Sequence, residues 1–159
     1  MKKLSLELDR LNEQGLSLPP IKLSHNGTAP YKKVGDLVFV SGIGPLGDDG
    51  KLAYTGRVGA EYTVEEGYKA ARLAGLNVLQ CVKDASGGLE NVDFVLKSVV
   101  CVSAPQGFGD IYKVADGFSD ALTEALGSRG LHARNAVGAS TLNGNAPVIC
   151  DAIVKLRNI

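Results

Sequence analysis

One arginine at the start of an apolar run is the clearest candidate for ligand chemistry in the sequence. Arg134 follows "GLHA" and precedes "NAVGASTL", which is predicted to be a strand. A guanidinium at the entrance of a strand can hold a carboxylate through two parallel hydrogen bonds. The alternative role for such a residue is a surface ion pair, which composition alone favours. The residue types therefore indicate a small-molecule pocket that contains an arginine and that two subunits can share.

The other chemistry-bearing side chains give weaker indications. His132 is one of two histidines, and no metal-ligand or triad partner lies at a recognisable spacing, so it is interpreted as a partly exposed loop residue. The three cysteines are widely spaced among apolar neighbours, which is typical of small core residues and matches neither a disulfide framework nor a zinc pattern; they are Cys81, Cys101 and Cys150. We expect no metal and no cofactor.

The elements that would position these residues alternate between strands and helices. Thr63 and Glu66 match a capping box and open a helix that ends after Asp84. Residues 36–42, 91–104, 135–142 and 147–157 are predicted strands, and residues 109–126 a second helix. The predicted order is strand (or hairpin), helix, strand, helix, strand, strand.

The last strand indicates that one face of the sheet lacks a cover. Its residues alternate, with Val148, Cys150, Ala152, Val154 and Leu156 on one face and Ile149, Asp151, Ile153, Lys155 and Arg157 on the other. Two helices can cover one face of such a sheet, and no third long helix remains for the other. The apolar residues of that second face therefore require a partner, and the simplest partner is another copy of the chain.

Bulk composition narrows the class of protein. The chain has 159 residues, with 17 basic and 17 acidic side chains, 45% hydrophobic residues and 6% aromatic residues. This suits one domain over residues 1–159, in which residues 1–25 form a helix and a proline-containing link and residues 26–159 the core. No signal peptide or membrane span is recognisable, so we expect a cytoplasmic protein. Neutral charge and few aromatic rings argue against a nucleic-acid partner.

Several motifs resemble the YjgF/RidA family, which is also labelled endoribonuclease L-PSP-like. They are "APYKKVGDLVFVSGIGP", "TGRVG" with "TVEEGYKAARLAGLNVL", "HARNAVGASTL" and "APVICDAIVKL". The longer N-terminus is similar to one subgroup of that family. The resemblance implies a chorismate mutase-like α/β (α+β) fold, with a mixed sheet and two helices on one of its faces. It also implies a homotrimer built around a central barrel, with three ligand sites between subunits.

The resemblance further implies a reaction and a set of site residues. Characterised members hydrolyse reactive enamines and imines to 2-oxo acids and ammonia, and the family arginine that grips the substrate carboxylate corresponds to Arg134. We therefore expect Arg134 to be catalytic as well as substrate-binding. The other positions that the resemblance places at the site are Tyr31, Gly42, Ile43, Phe118, Ala136, Ile149 and Asp151.

One departure from the family leaves two functions open. The deaminases position the attacking water with a glutamate, and Ile149 occupies that place here, while Asp151 lies two residues further along the same face. The chain is then either a deaminase-like hydrolase with altered substrate preference or a non-catalytic binding module for 2-oxo or amino-acid-like acids. The endoribonuclease that the family label suggests is the third and least favoured alternative.

Overall fold

The computed structural model describes residues 27–157, so the predicted N-terminal helix and link lie outside the described residues. The strands are β1 (Tyr31–Val34), β2 (Leu37–Ile43), β3 (Val92–Ser103), β4 (Ala133–Ala139) and β5 (Val148–Leu156). The helices are α1 (Val64–Ser86) and α2 (Ile111–Leu126), and short 3₁₀ turns span Leu89–Asn91, Gly127–Gly130 and Asn143–Asn145. The order β1–β2–α1–β3–α2–β4–β5 confirms the predicted sequence of elements, with the first strand as a hairpin.

The five strands form one mixed sheet in the spatial order β1-β2-β5-β3-β4. The β1–β2, β2–β5 and β3–β5 pairs are antiparallel, whereas β3 and β4 are parallel. A parallel pair needs a crossover connection, and α2 supplies it. The hairpin strand β1 and the crossover strand β4 therefore lie at opposite edges of the sheet.

Helix α1 begins and ends where its sequence provides caps. The Thr63 hydroxyl accepts the Glu66 backbone N–H at 3.2 Å, and the Glu66 carboxylate accepts the Thr63 N–H at 2.8 Å. This reciprocal pair is the predicted capping box. The helix continues two residues beyond the predicted end at Asp84 and stops at Gly87, whose φ of 78° is a left-handed conformation that glycine adopts without strain.

The two helices pack closely because glycine lies at their contact. A β-carbon added at Gly117 would lie 2.1 Å from the carbonyl oxygen of Tyr68, so a larger residue cannot occupy this position without separating the helices. A polar pair also joins the two helices, in which the Tyr68 hydroxyl donates to the Asp120 carboxylate at 2.6 Å. This hydrogen bond raises the pKa of Tyr68 to about 12. The helices form a single layer above one face of the sheet.

The faces of β5 follow the predicted alternation. Val148, Cys150, Ala152, Val154 and Leu156 are buried beneath the helices, whereas Ile149, Asp151, Ile153 and Lys155 are only half-buried. The second face, which we call the open face, also carries Phe39 and Phe94 at 42% and 49% exposure. Phe39 pairs with Ile153 and Phe94 with Lys155, which places both rings on the side away from the helices. The prediction of an apolar sheet face without helical cover is therefore confirmed.

Strand β4 begins earlier than the sequence indicated. The predicted strand started at Asn135, but the observed strand starts at Ala133 and includes Arg134 as its second residue. The parallel partner explains the difference, since β3 supplies hydrogen-bond partners from Lys97 onward. No helix within residues 27–157 is long and apolar enough to cross a membrane.

Candidate functional site

Arg134 points toward helix α2 from the edge strand β4. It pairs in register with Ser98, which is fully buried on the helix side of the sheet. The Arg134 Nη1 donates to the Ser119 hydroxyl at 2.9 Å and lies 3.0 Å from Oδ1 of Asp116. The Arg134 side chain is 19% exposed and the Asp116 side chain 48% exposed. The predicted arginine is therefore a mostly shielded cation that already lies beside a half-exposed carboxylate.

His132 joins the same group of side chains. Its Nδ1 lies 2.7 Å from the Gly130 carbonyl oxygen and its Nε2 lies 3.1 Å from the Ser119 hydroxyl. The imidazole also packs edge-on against the ring of Phe118, with centroids 5.8 Å apart. We name Asp116, Ser119, His132 and Arg134 the Arg134 cluster.

The environment of His132 favours its neutral form. Burial lowers the pKa of His132, the hydrogen bond to Gly130 opposes this shift, and the charges of Arg134 and Lys97 lower the pKa further. A neutral imidazole carries one N–H and one free lone pair. The Arg134 cluster thus links a carboxylate-binding cation to a neutral imidazole through the Ser119 hydroxyl, which is hydrogen-bonded to both.

Ser119 and Asp116 were not predicted from the sequence. They are three residues apart on α2, so they share one helix face. That face contacts β4 because the β3–α2–β4 crossover lays α2 beside the strand that carries Arg134. Helix α2 also carries Lys113, Asp120 and Glu124, so the spacing of Asp116 and Ser119 did not distinguish them from its other polar residues.

The remaining predicted site residues divide between the two faces of the sheet. Ile149, Asp151 and Gly42 belong to the open face, where a β-carbon at Gly42 would lie 2.8 Å from Cγ2 of Ile149. The Asp151 Oδ1 accepts the Val99 backbone N–H at 2.8 Å, so this carboxylate is engaged within the sheet. In the single chain these residues therefore lie on the opposite side of the sheet from Arg134.

Two predicted pocket residues belong to the hydrophobic core instead. Ile43 is 4% exposed and pairs with Cys150, and Phe118 is fully buried beneath the helices. Their side chains are buried in the single chain, so contact of either with a ligand stays a prediction from the resemblance. Phe118 supports the site indirectly by packing against His132. Ala136 is half-buried and packs against the same core.

The predicted pocket tyrosine is far from Arg134 along the sheet. Tyr31 belongs to β1, pairs with the buried Val40 and is half-buried on the helix side. Three strands separate β1 from β4, so the two backbones are about 19 Å apart at roughly 4.8 Å per strand. A small ligand cannot touch both residues within one chain.

Two cavities of the described chain lie away from Arg134. One of about 580 Å³ is lined by residues that include Lys33, Asp36 and Arg157. Another of about 420 Å³ lies beside the start of α2 and is lined by residues that include Phe108 and Gly138. Arg134 lines neither cavity. No cluster of three or more candidate metal-binding side chains occurs within residues 27–157, and burial raises the pKa of the thiols of Cys81, Cys101 and Cys150.

Two proteins resemble this chain in sequence over almost its entire length. Protein TCP17 of Trypanosoma cruzi is 36% identical over 157 residues, which cover 98% of this chain and 96% of that protein. The crystal structure of Atu1372 from Agrobacterium tumefaciens, a protein of unknown function, is 35% identical with a TM-score of 0.90 and covers 98% of this chain and 96% of that one.

A more distant structure shares the fold and contains a ligand. E. coli TdcF with bound serine is 18% identical with a TM-score of 0.61, and the match covers 89% of this chain and 94% of TdcF. A family model described as "YjgF/chorismate_mutase-like, putative endoribonuclease" matches residues 8–154. The chain therefore belongs to the YjgF/chorismate mutase-like family.

Proposed function

We propose that the chain binds small carboxylate ligands at Arg134. The observation that carries this proposal is the contact of Arg134 with the Asp116 carboxylate at 3.0 Å, because it displays the chemistry that a ligand carboxylate would use. The contacts of the guanidinium with Ser119 and Asp116 both involve Nη1, and we propose that a ligand carboxylate binds along the Nη2 edge. Asp116 is half-exposed and can move aside or share the cation.

The binding cleft is completed by a second copy of the chain in a homotrimer. The open face carries exposed phenylalanines that another sheet would cover, and large exposed apolar patches are typical of interfaces. In a closed ring, the β4 edge of one copy can approach the β1 edge of the next. Tyr31 from that neighbour would then stand opposite Arg134, as the family resemblance requires.

The reaction proposed for this site is hydrolysis of an enamine or imine to a 2-oxo acid and ammonia. Family membership and the retained arginine support this reaction, and serine in the related TdcF structure is itself a ligand with a carboxylate. The substrate preference is altered relative to the deaminases because Ile149 replaces their water-positioning glutamate. We place the reaction in the cytoplasm.

Ile149 also supports the second candidate, a binding module without catalysis. A positioned carboxylate contributes about 10²–10⁴-fold through proton transfer, and the isoleucine side chain can supply none of this. The Asp151 carboxylate is not a direct substitute for the missing glutamate, because it accepts the Val99 backbone N–H. In this candidate, Arg134 holds a 2-oxo or amino-acid-like acid without converting it.

Ammonia release separates the two candidates. Freshly generated 2-aminoacrylate is supplied to the wild-type chain, and the rate of ammonia release is compared with the spontaneous rate and with the rate of the Arg134→Ala variant. The hydrolase predicts a wild-type rate above both. A wild-type rate equal to the spontaneous rate, together with saturable pyruvate binding, would establish the binding module instead, and the absence of both would reject the proposed site.

A further inference from the structure

A hydroxyl and an imidazole are paired directly beside Arg134. Ser119 Oγ lies 3.1 Å from His132 Nε2 and 2.9 Å from Arg134 Nη1. Ser119 and His132 are both half-buried, so they are shielded yet within reach of a small ligand. The residues come from α2, from the short segment between the 3₁₀ turn and β4, and from β4 itself, and the crossover between β3 and β4 brings them together.

The hydrogen bonds determine which way the Ser119 proton points. The Gly130 carbonyl can only accept, so His132 Nδ1 must carry the ring proton and donate it at 2.7 Å. In the neutral ring, Nε2 is then an acceptor. Arg134 can only donate, so Ser119 Oγ accepts from the guanidinium and donates its own proton to Nε2. The Ser119 oxygen is therefore already hydrogen-bonded to a base.

We propose that Ser119 and His132 act as a proton-transfer pair for the ligand that Arg134 holds. Ser119 is the catalytic residue that touches the ligand or its attacking water, and His132 acts through Ser119. This inference rests on the proposed carboxylate site at Arg134. It supplies the proton carrier that Ile149 cannot provide, and it does so from the helix side of the sheet, where Arg134 itself lies.

Ser119 and His132 can carry every proton transfer that imine hydrolysis requires. Water attacks the carbon of a protonated imine. The water oxygen forms the new C–O bond, and the π electron pair of the C=N bond moves to the nitrogen. The water proton passes to Ser119 Oγ while the Ser119 proton passes to His132 Nε2. The imidazolium then returns a proton by the same path to the amine nitrogen, the C–N bond breaks, and ammonia leaves as the C=O bond forms. His132 takes up the proton of the new carbonyl oxygen.

The charges around His132 favour the basic form. Arg134 faces it from β4 and Lys97 from β3, and Asp116 of α2 pairs with Arg134. Burial is the largest cause that lowers the pKa of His132 below its usual value of 6.5, and the two nearby cations lower it further. The base therefore remains available at neutral pH, and proton transfer is expected to fail only when the pH falls below the lowered pKa of His132.

The proton-transfer pair can be tested with a stable ligand. A base beside a bound 2-oxo acid removes a proton from its C3 carbon to form the enolate, and solvent deuterium is returned by the same path. Pyruvate is incubated with the protein in D₂O, and loss of the methyl proton signal is followed by NMR. We expect protein-dependent exchange that falls at least about tenfold in Ser119→Ala and His132→Gln, since positioned acid–base groups contribute about 10²–10⁴-fold. Ser128→Ala, an exposed serine after α2, is the matched control and should exchange at the wild-type rate.

Pyruvate binding, measured by calorimetry on the same samples, separates this inference from the function on which it rests. The pair is supported if both variants keep a pyruvate affinity within about threefold of the wild type and lose the deuterium exchange. It is also required that the residual exchange of His132→Gln no longer falls at acidic pH. Binding retained with exchange unchanged in both variants would overturn the pair and leave the Arg134 site intact. Absence of pyruvate binding in the wild type would overturn both.

A measurement on the wild type guards against variants that fail to fold. The nitrogen chemical shifts of His132 distinguish the two neutral tautomers. The pair requires a proton on Nδ1 and none on Nε2 at neutral pH. A protonated Nε2 would remove the base from Ser119 and contradict the proposal, whatever the variants do.

Discussion

Tyr31 and Arg134 lie on the two opposite edge strands of one sheet, β1 and β4, with three strands between them. Their backbones are about 19 Å apart, which is too far for both to touch one small carboxylate. The two residues that sequence resemblance assigns to the same pocket must therefore come from two chains if that pocket exists. This separation connects the site chemistry to assembly.

Mixing two variants tests the shared pocket. Tyr31→Ala and Arg134→Ala chains are each expected to lose most pyruvate binding. When equal amounts are unfolded together and refolded into randomly assembled trimers, about a quarter of all sites should combine an intact Tyr31 with an intact Arg134. Calorimetric titration should then detect that fraction of binding sites. No recovered sites in verified mixed trimers would mean that the pocket does not use one residue from each chain.

Charge on the open face is expected to disrupt the assembly. Phe39→Glu places a carboxylate among Phe94, Ile153 and their neighbours, where desolvation of the charge opposes contact with another sheet. Light scattering at micromolar concentration should give a trimer mass for the wild type and a smaller mass for the variant. Tyr112→Ser, which removes an exposed ring from α2 instead, is the control and should remain trimeric. A monomeric wild type would contradict the assembly directly.

Packing between the helices depends on one glycine. Gly117→Ala would place a β-carbon 2.1 Å from the Tyr68 carbonyl oxygen, so α1 and α2 must separate. The free energy of unfolding should fall by about 1–3 kcal/mol, as for other overpacked cores. Gly109→Ala, where nothing lies within 4 Å of the added carbon, should leave stability nearly unchanged. Urea unfolding measures the free energy of unfolding of both variants. Equal values would contradict the close contact of α1 and α2 at Gly117.

A glutamate introduced at position 149 is expected to raise imine hydrolysis where the assembly brings the open face of one copy to Arg134 of another. Ile149 lies on the open face against Gly42, so Ile149→Glu adds a carboxylate without entering the core beneath the helices. Ammonia release from 2-aminoacrylate should increase above the wild-type rate. Trimer mass is checked on the same sample because a buried, unpaired carboxylate can protonate or destabilise the assembly. An intact trimer with no gain would show that the missing glutamate does not limit the rate.

Local features of the sequence were sufficient for the order of elements. The Thr63–Glu66 capping box and the alternation along β5 each depend on neighbouring residues, and the structure reproduces both. The partners of Arg134 could not be predicted in the same way. The contact of Ser119 with His132 depends on how α2 lies against β4, and no spacing within either element encodes that placement.

The burial of two predicted pocket residues was likewise not evident from the sequence. Ile43 and Phe118 match the positions of family pocket residues, but their side chains are apolar and the core accommodates them. The family resemblance identifies a position in the sequence, whereas the polarity of the side chain at that position determines whether it is buried. The separation of Tyr31 from Arg134 likewise followed only once the strand order was known.

The most direct test of the carboxylate site is a calorimetric titration of pyruvate against the wild type and Arg134→Ala. Hydrogen bonds to a charged group contribute about 1.5–3 kcal/mol, so removal of the guanidinium should weaken binding about tenfold or more. Arg57→Ala, which removes an exposed arginine from an i,i+4 ion pair, is the control and should bind as the wild type does. We predict saturable binding by the wild type and the control, and an affinity at least about tenfold lower for Arg134→Ala. Equal affinity of all three proteins would contradict the site.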